Sequence, residues 1–213
     1  MSSLRDDLEQ EEIKVEKADA VERSIKEWEL NHPYLKEVDR YQEASDRISK
    51  IEPLKPDLWK KKNETDRVWI LDRIGKELSE VYHTPKPDLL QKLKERDELG
   101  SYSDGDWQIE INRESLIGDD PKEAIRTYCH EFRHSCQHEQ ALAYEKEFPV
   151  DDPQKAEEWA RNLQRYIEPP DDGTKDPEHY QKRFSEYESQ PVEKDARRFA
   201  DEITERVFRK LNS

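Results

Sequence analysis

Hydrophobic residues recur along most of this chain at helical spacing. Val21, Ile25 and Trp28 fall at i, i+4 and i+7 within a charged stretch over residues 1 to about 30, the pattern of an amphipathic helix. "NHP" at 31–33 interrupts it, and a second helix follows with Tyr34, Val38, Tyr41, Ile48 and Ile51 on one side. "EPLKPDLWKKKN" carries two prolines and reads as a connection. A third helix starts after Asn63 or Thr65, either of which suits an N-cap. Its stripe is Val68, Leu71, Ile74, Leu78 and Val81, and "HTPKPD" ends it.

The period then changes. In "ELGSYSDGDWQIEIN", Trp107, Ile109 and Ile111 alternate with Gln108 and Glu110, which predicts a strand over 107–111 preceded by a hairpin turn at Asp104–Gly105. The helical period resumes at a marked start, with Asp120 as N-cap, Pro121 in the first turn and Glu123 placed for a capping box. This helix is predicted over about 121–145. Residues 149–176 hold a short helix around Trp159 and Tyr166 between Pro- and Asp-rich loops, and a last helix runs from about 191 to 211. The pattern predicts a helix-dominated α+β fold with a small antiparallel sheet packed on the 121–145 helix. It divides into a charged helical extension over 1–62 and a domain over 63–213.

Composition narrows this picture. The chain is 42% charged and 32% hydrophobic, yet holds 5 Trp, 9 Tyr and 5 Phe, enough to argue for a modest core under long solvated helices rather than full disorder. A net charge of -15 repels phosphates and anionic membrane surfaces, so neither nucleic acid nor a membrane is an expected partner. No apolar run approaches the roughly 20 residues that span a bilayer, and the first residues lack the apolar core of a signal peptide. With two cysteines only, the expected compartment is reducing and cytoplasmic, with export by a signal-independent route as the alternative.

Candidate chemistry concentrates in "TYCHEFRHSCQHEQA", residues 127–141. His130 and His134 are four apart on the predicted helix, so both imidazoles share a face one turn apart. Two nitrogens there can bind one ion at roughly 2.0–2.1 Å. Glu131 is displaced by about 100° around the helix, where it can take a proton from water without ligating the ion. This is the H-E-x-x-H arrangement. His138 lies about 12 Å along the axis from His130 and cannot join the same ion. A His-rich continuation of the motif is also excluded, because Gln137 and Gln140 stand where Gly and His would be needed.

The last helix offers a third ligand. Its stripe of Ala196, Ala200, Ile203 and Val207, extended back one turn, lands on Glu193. A buried carboxylate is costly unless paired or bound to a cation; the alternative is a solvated Glu193 that favours the helix dipole. Asp195 is a weaker candidate, either behind a histidine or as a plain N-terminal charge. Cys129 and Cys136 fall with Ile125 and Phe132 on the core side, two turns apart and too far for a disulfide. Tyr187, His138, Arg133 and Tyr180 are possible donors to an oxyanion, with Tyr187 favoured because it leads into the Glu193 helix. The strand over 107–111 is a candidate edge for an extended peptide.

"HEFRHSCQ" followed by "QPVEKDARRFAD" resembles zinc metallopeptidases of the gluzincin kind. Glu193, Ala196, Phe199 and Ala200 match a pattern similar to the third-ligand helix of ImmA/IrrE-type peptidases. The fuller pattern looks like small metallopeptidase domains of phage, mobile-element and polymorphic-toxin proteins. The resemblance covers roughly residues 66–211 and implies a zincin-like fold. It implies zinc held by His130, His134 and Glu193, with Glu131 as base, acting on a protein or peptide substrate. The acidic insert at 149–176 departs from it, and residues 1–60 lie outside it. That extension suggests three further expectations: a bound partner or immunity-type inhibitor, an autoinhibitory segment, or an adaptor that uses the scaffold without catalysis.

Overall fold

The computed structural model describes residues 37–92, 99–170 and 177–212; the helix expected over residues 1 to about 30 lies outside them. Helices α1 (Glu37–Ile48), α2 (Pro56–Trp59) and α3 (Glu64–Tyr82) lead into strand β1 (Asp88–Lys92). Strands β2 (Gly100–Ser103) and β3 (Gln108–Asn112) follow, then α4 (Arg113–Ile117), α5 (Lys122–Glu145), α6 (Pro153–Leu163), α7 (Pro177–Glu188) and α8 (Pro191–Leu211). The result is a helix-dominated α+β arrangement. Local chemistry explains the helix starts. The Asn63 side chain accepts the Asp66 N–H at 2.9 Å and opens α3, and the Asp120 carboxylate accepts the Lys122 N–H at 2.9 Å ahead of α5. Each satisfies a donor that the first turn leaves unpaired.

One apolar core joins these elements. Ile70, Leu71, Ile74 and Leu78 of α3 meet Ile125, Cys129 and Phe132 of α5, Phe199, Ile203 and Val207 of α8, and Ile109 and Ile111 of β3. The segment around α1 belongs to this same core. Tyr41, Ala44, Ile48, Ile51, Leu54 and Trp59 are all buried in it, so the boundary expected at residue 62 falls inside a packed region. Arg67 of α3 is buried beside them. Its guanidinium donates to the Leu116, Gly118 and Trp59 carbonyls and lies 4.9 Å over the Trp59 ring. It thereby satisfies carbonyls at the end of α4 that burial would otherwise leave unpaired.

The sheet corrects two expectations. Its order is β1-β3-β2, with β1 parallel and β2 antiparallel to β3, so it is mixed rather than antiparallel. The strand expected to offer a free edge, 107–111, is the central one, paired on both sides. The reason lies in its alternation. Ile109 and Ile111 are the sheet's fully buried apolar residues, so β3 takes the position over the core while β1 and β2 form the edges. The hairpin between β2 and β3 is present, but its left-handed residue is Trp107 (φ 52°), not Gly105. Trp107 is held there by its indole N–H on the Pro85 carbonyl at 3.2 Å and by edge-to-face contact with Tyr102.

Two glycines permit close approaches. Gly100 of β2 lies against α5, where a Cβ would come within 2.8 Å of the Thr127 methyl and 3.2 Å of Glu131 Cγ. Gly75 of α3 faces Tyr128 of α5, and a Cβ there would come within 1.9 Å of the phenol oxygen. That oxygen is buried without a hydrogen-bond partner. Gly75→Ala is therefore expected to cost about 1–3 kcal/mol by overpacking, as read by urea denaturation. Adding Tyr128→Phe should recover a large part of that loss. Equal losses with and without the phenol oxygen would refute the steric account.

Among the described residues no helix is long and apolar enough to cross a membrane.

Candidate metal centre

Helix α5 lies between the core and a second, smaller cluster formed by Ala141, Trp159, Ala160 and Val192 with Tyr166 against it. Helix α8 crosses the same region, and its buried stripe continues from Ala196 back to Glu193, which is 0% exposed. Solvation of Glu193 at the helix start, the alternative left open by the sequence, is thereby excluded. His130, His134 and Glu193 come together where the two helices meet, with ligand atoms all within 4.8 Å of one another. His130 Nε2 and His134 Nε2 are 3.1 Å apart, His130 Nε2 is 3.3 Å from Glu193 Oε2, and His134 Nε2 is 3.4 Å from Glu193 Oε1. Atoms 2.0–2.1 Å from a common tetrahedral centre lie about 3.3–3.4 Å apart, so the three side chains stand close to the separations one ion requires, each histidine nearest a different oxygen of Glu193.

The hydrogen bonds behind the histidines determine what His134 presents. Gln137 directs its amide N–H2 to the Val192 carbonyl at 2.9 Å and the Asp195 carboxylate at 3.1 Å. Its carbonyl oxygen is therefore the end that meets His134 Nδ1, at 2.9 Å. A carbonyl accepts only, so Nδ1 carries the proton and Nε2 turns a lone pair toward the site. Asp195 is held in turn by Arg133, whose Nε donates to it at 2.6 Å. The Arg133 guanidinium is stacked between Trp159 and Phe199, at 5.1 and 5.0 Å. Asp195 touches no histidine itself and reaches His134 only through Gln137.

Electrostatics point the same way. Burial and the neighbouring His130 lower the His134 pKa to about 4, so it is neutral near pH 7. Burial alone would lower His130 too, but the Glu193 carboxylate 3.3 Å away and the charge of Glu131 outweigh burial and raise it. Burial opposes ionisation of Glu193, yet the two histidines and Tyr166 bring it down to about 2. Its Oε2 atom has no hydrogen-bond partner although the carboxylate is fully buried. Arg197 Nη1, 3.7 Å from Oε2, offsets part of that charge, but a buried carboxylate oxygen that accepts no hydrogen bond is still costly, and a cation held with the two imidazoles would offset the rest. The donor set of two nitrogens and one carboxylate is one that could hold a metal ion.

Glu131 is 7% exposed. It follows His130 on the helix and sits against Gly100 of β2. Tyr187 is half-buried at the end of α7, 6.2 Å from the Tyr166 ring. Burial and the charges of Glu193 and Glu131 raise its pKa above the ordinary phenol range, so it is a hydrogen-bond donor at neutral pH. Tyr187 itself interacts with Tyr166 and Glu193 beside the histidines, and the other oxyanion candidates are engaged farther from the ligand cluster. Arg133 is committed to Asp195. His138 faces Asp104 of the hairpin at 3.7 Å, its ring edge-on to Tyr102. Tyr180 stacks on Phe184 farther along α7. Cys129 and Cys136 are buried free thiols.

Two contributors escaped the sequence reading. Gln137 carried a signal, since it sits three residues after His134 on one helix face. Tyr166 carried none: it lies beyond the end of α6, not within the short helix expected there, and its hydroxyl donates to Glu193 Oε1 at 2.7 Å. Comparison with protein-family models, curated proteins and solved structures returned no match to this chain.

Proposed function

We propose that the protein is a zinc-dependent peptidase of zincin-like architecture, hydrolysing peptide bonds with Glu131 as general base. The observation that carries this reading is the fully buried Glu193 carboxylate, one oxygen of which accepts no hydrogen bond, 3.3 and 3.4 Å from two imidazole nitrogens. His130, His134 and Glu193 would hold the zinc ion, which would supply Lewis acidity and make water more acidic. Glu131 accepts the proton of the attacking water and returns it to the leaving amine. Its place off the ligand face, against β2, sets its carboxylate beside the ligand cluster for that transfer. The Tyr187 hydroxyl donates to the oxyanion that develops on the carbonyl carbon.

The substrate strand pairs with the outer edge of β2, which Gly100 brings close to Glu131. This replaces β3, whose two edges are both occupied. The charged, half-exposed surroundings of α7 suit a flexible protein segment better than a small apolar ligand.

The test measures zinc by elemental analysis and cleavage of an unfolded protein substrate with and without chelator. One zinc per chain, its loss in Glu193→Ala, and cleavage abolished by chelator and restored by zinc are the expected results. A metal-free chain after reconstitution, or cleavage indifferent to chelator, refutes the reading.

A further inference from the structure

The acidic insert at 149–176 departs from the metallopeptidase pattern, yet its later part is fastened to the start of α8. Gln190, which is 5% exposed, clamps Ile167 at two points. Its Oε1 accepts the Ile167 N–H at 2.8 Å and its Nε2 donates to the Ile167 carbonyl at 2.9 Å. Asn162, near the end of α6, donates to the same Gln190 oxygen at 3.2 Å, while its own oxygen accepts the Val192 N–H at 3.1 Å. Gln190 has no side-chain cap of its own to offer α8, so Asn162 does the capping from another helix. These amide contacts fix the backbone on either side of one residue, Tyr166, and that residue's hydroxyl reaches Glu193 Oε1 at 2.7 Å.

The two oxygens of Glu193 are therefore not equivalent. Oε1 accepts the hydroxyl of a phenol held from outside α8, whereas Oε2, 3.3 Å from His130 Nε2 and 3.7 Å from Arg197 Nη1, accepts no hydrogen bond. We propose that Tyr166, set by the Asn162–Gln190 clamp, is a positioning residue that reserves Oε1 and presents Glu193 to the metal through Oε2 alone. With one oxygen withheld, the carboxylate occupies one coordination position and leaves a position for water. With both available it can close on the ion from two sides. On this account the insert is part of the metal site, although it supplies no ligand. The inference rests on the metal-binding reading above.

The test titrates the metal-free full chain with cobalt(II), whose visible absorption is intense in four-coordinate sites and weak in five- or six-coordinate ones. Zinc affinity is measured alongside, by competition with a chromophoric chelator. Tyr166→Phe keeps the ring and its edge contact with Tyr187 and removes only the hydroxyl. It is expected to weaken zinc binding by about 10–100-fold and to reduce the cobalt absorption as Glu193 takes up a second position. Gln190→Ala, which frees the loop but keeps the hydroxyl, should move both readouts in the same direction by less. Wild type and Tyr166→Phe giving the same cobalt spectrum and the same zinc affinity overturns the proposal, even if turnover is lost, because the hydroxyl then serves the reaction and not the ligand. Wild type binding neither metal overturns the metal reading itself, a different result from metal bound equally by both forms.

Discussion

Glu131→Gln is expected to bind zinc like the wild type and to lose about 10²–10⁴-fold in turnover. Glutamine has the shape of glutamate but accepts no proton at working pH, so the substitution isolates the transfer step. The geometry makes the variant clean. The three ligand atoms are contributed by His130, His134 and Glu193, and Glu131 lies about 100° away around α5, against the glycine of β2. Glu131 is almost fully buried, and a neutral amide is cheaper to bury than a carboxylate, so the melting temperature should hold or rise. The measurement pairs zinc stoichiometry with single-turnover cleavage of a quenched peptide. More than a tenth of wild-type turnover with the metal retained would assign the base elsewhere.

The second large effect belongs to stability. Arg133 and Asp195 form a buried pair at 2.6 Å, and removing one partner strands the other, at a cost of about 3–5 kcal/mol. Arg133→Met is expected to lose that much at pH 7, read by urea denaturation with chelator present so that metal does not contribute. Replacing both, Arg133→Met with Asp195→Leu, should cost less than the single change. The pH dependence has a definite sign. Burial opposes ionisation of Asp195, but Arg133 and Gln137 hold its pKa below the ordinary value. The pair's contribution is therefore complete above the unfolded pKa near 4 and fades as pH falls through that range toward the folded one. Without Arg133, Asp195 keeps its Gln137 and Arg198 contacts but loses the main group that offsets its burial, so protonation relieves the carboxylate more readily. The gap between wild type and variant should narrow in acid, and a gap that widens on acidification would contradict this account.

The parts of the site that were legible in the sequence are those governed by one helix at a time. The four-residue spacing of His130 and His134 needs only α5, and the stripe from Val207 back to Glu193 needs only α8. Burial of the whole stripe, including its charged end, is what periodicity can foresee. Tyr166 was illegible for the opposite reason. Its role depends on Gln190 mimicking a strand partner for Ile167 across 23 residues, and no local period encodes an amide clamp. Strand β1 was missed because "DLLQK" is too short and half-exposed to show alternation; its pairing with β3 is a tertiary outcome. The hairpin turn was found through Asp104–Gly105, but the strained position fell on Trp107, where contacts with Pro85 and Tyr102 override a residue preference.

The distance in sequence between His134 and Glu193 also bears on how the protein is made. The two residues are separated by about 60 positions, and bringing the ends of such a loop together costs roughly 3–4 kcal/mol of chain entropy beyond a constant term. An ion bridging them would act as a removable cross-link, most effective because the loop it closes is long. A nascent chain holding α5 alone has two imidazoles and no carboxylate to complete the set. Tight metal uptake would then await the arrival of α8 in its groove, and bound zinc would count finished molecules rather than synthesised ones.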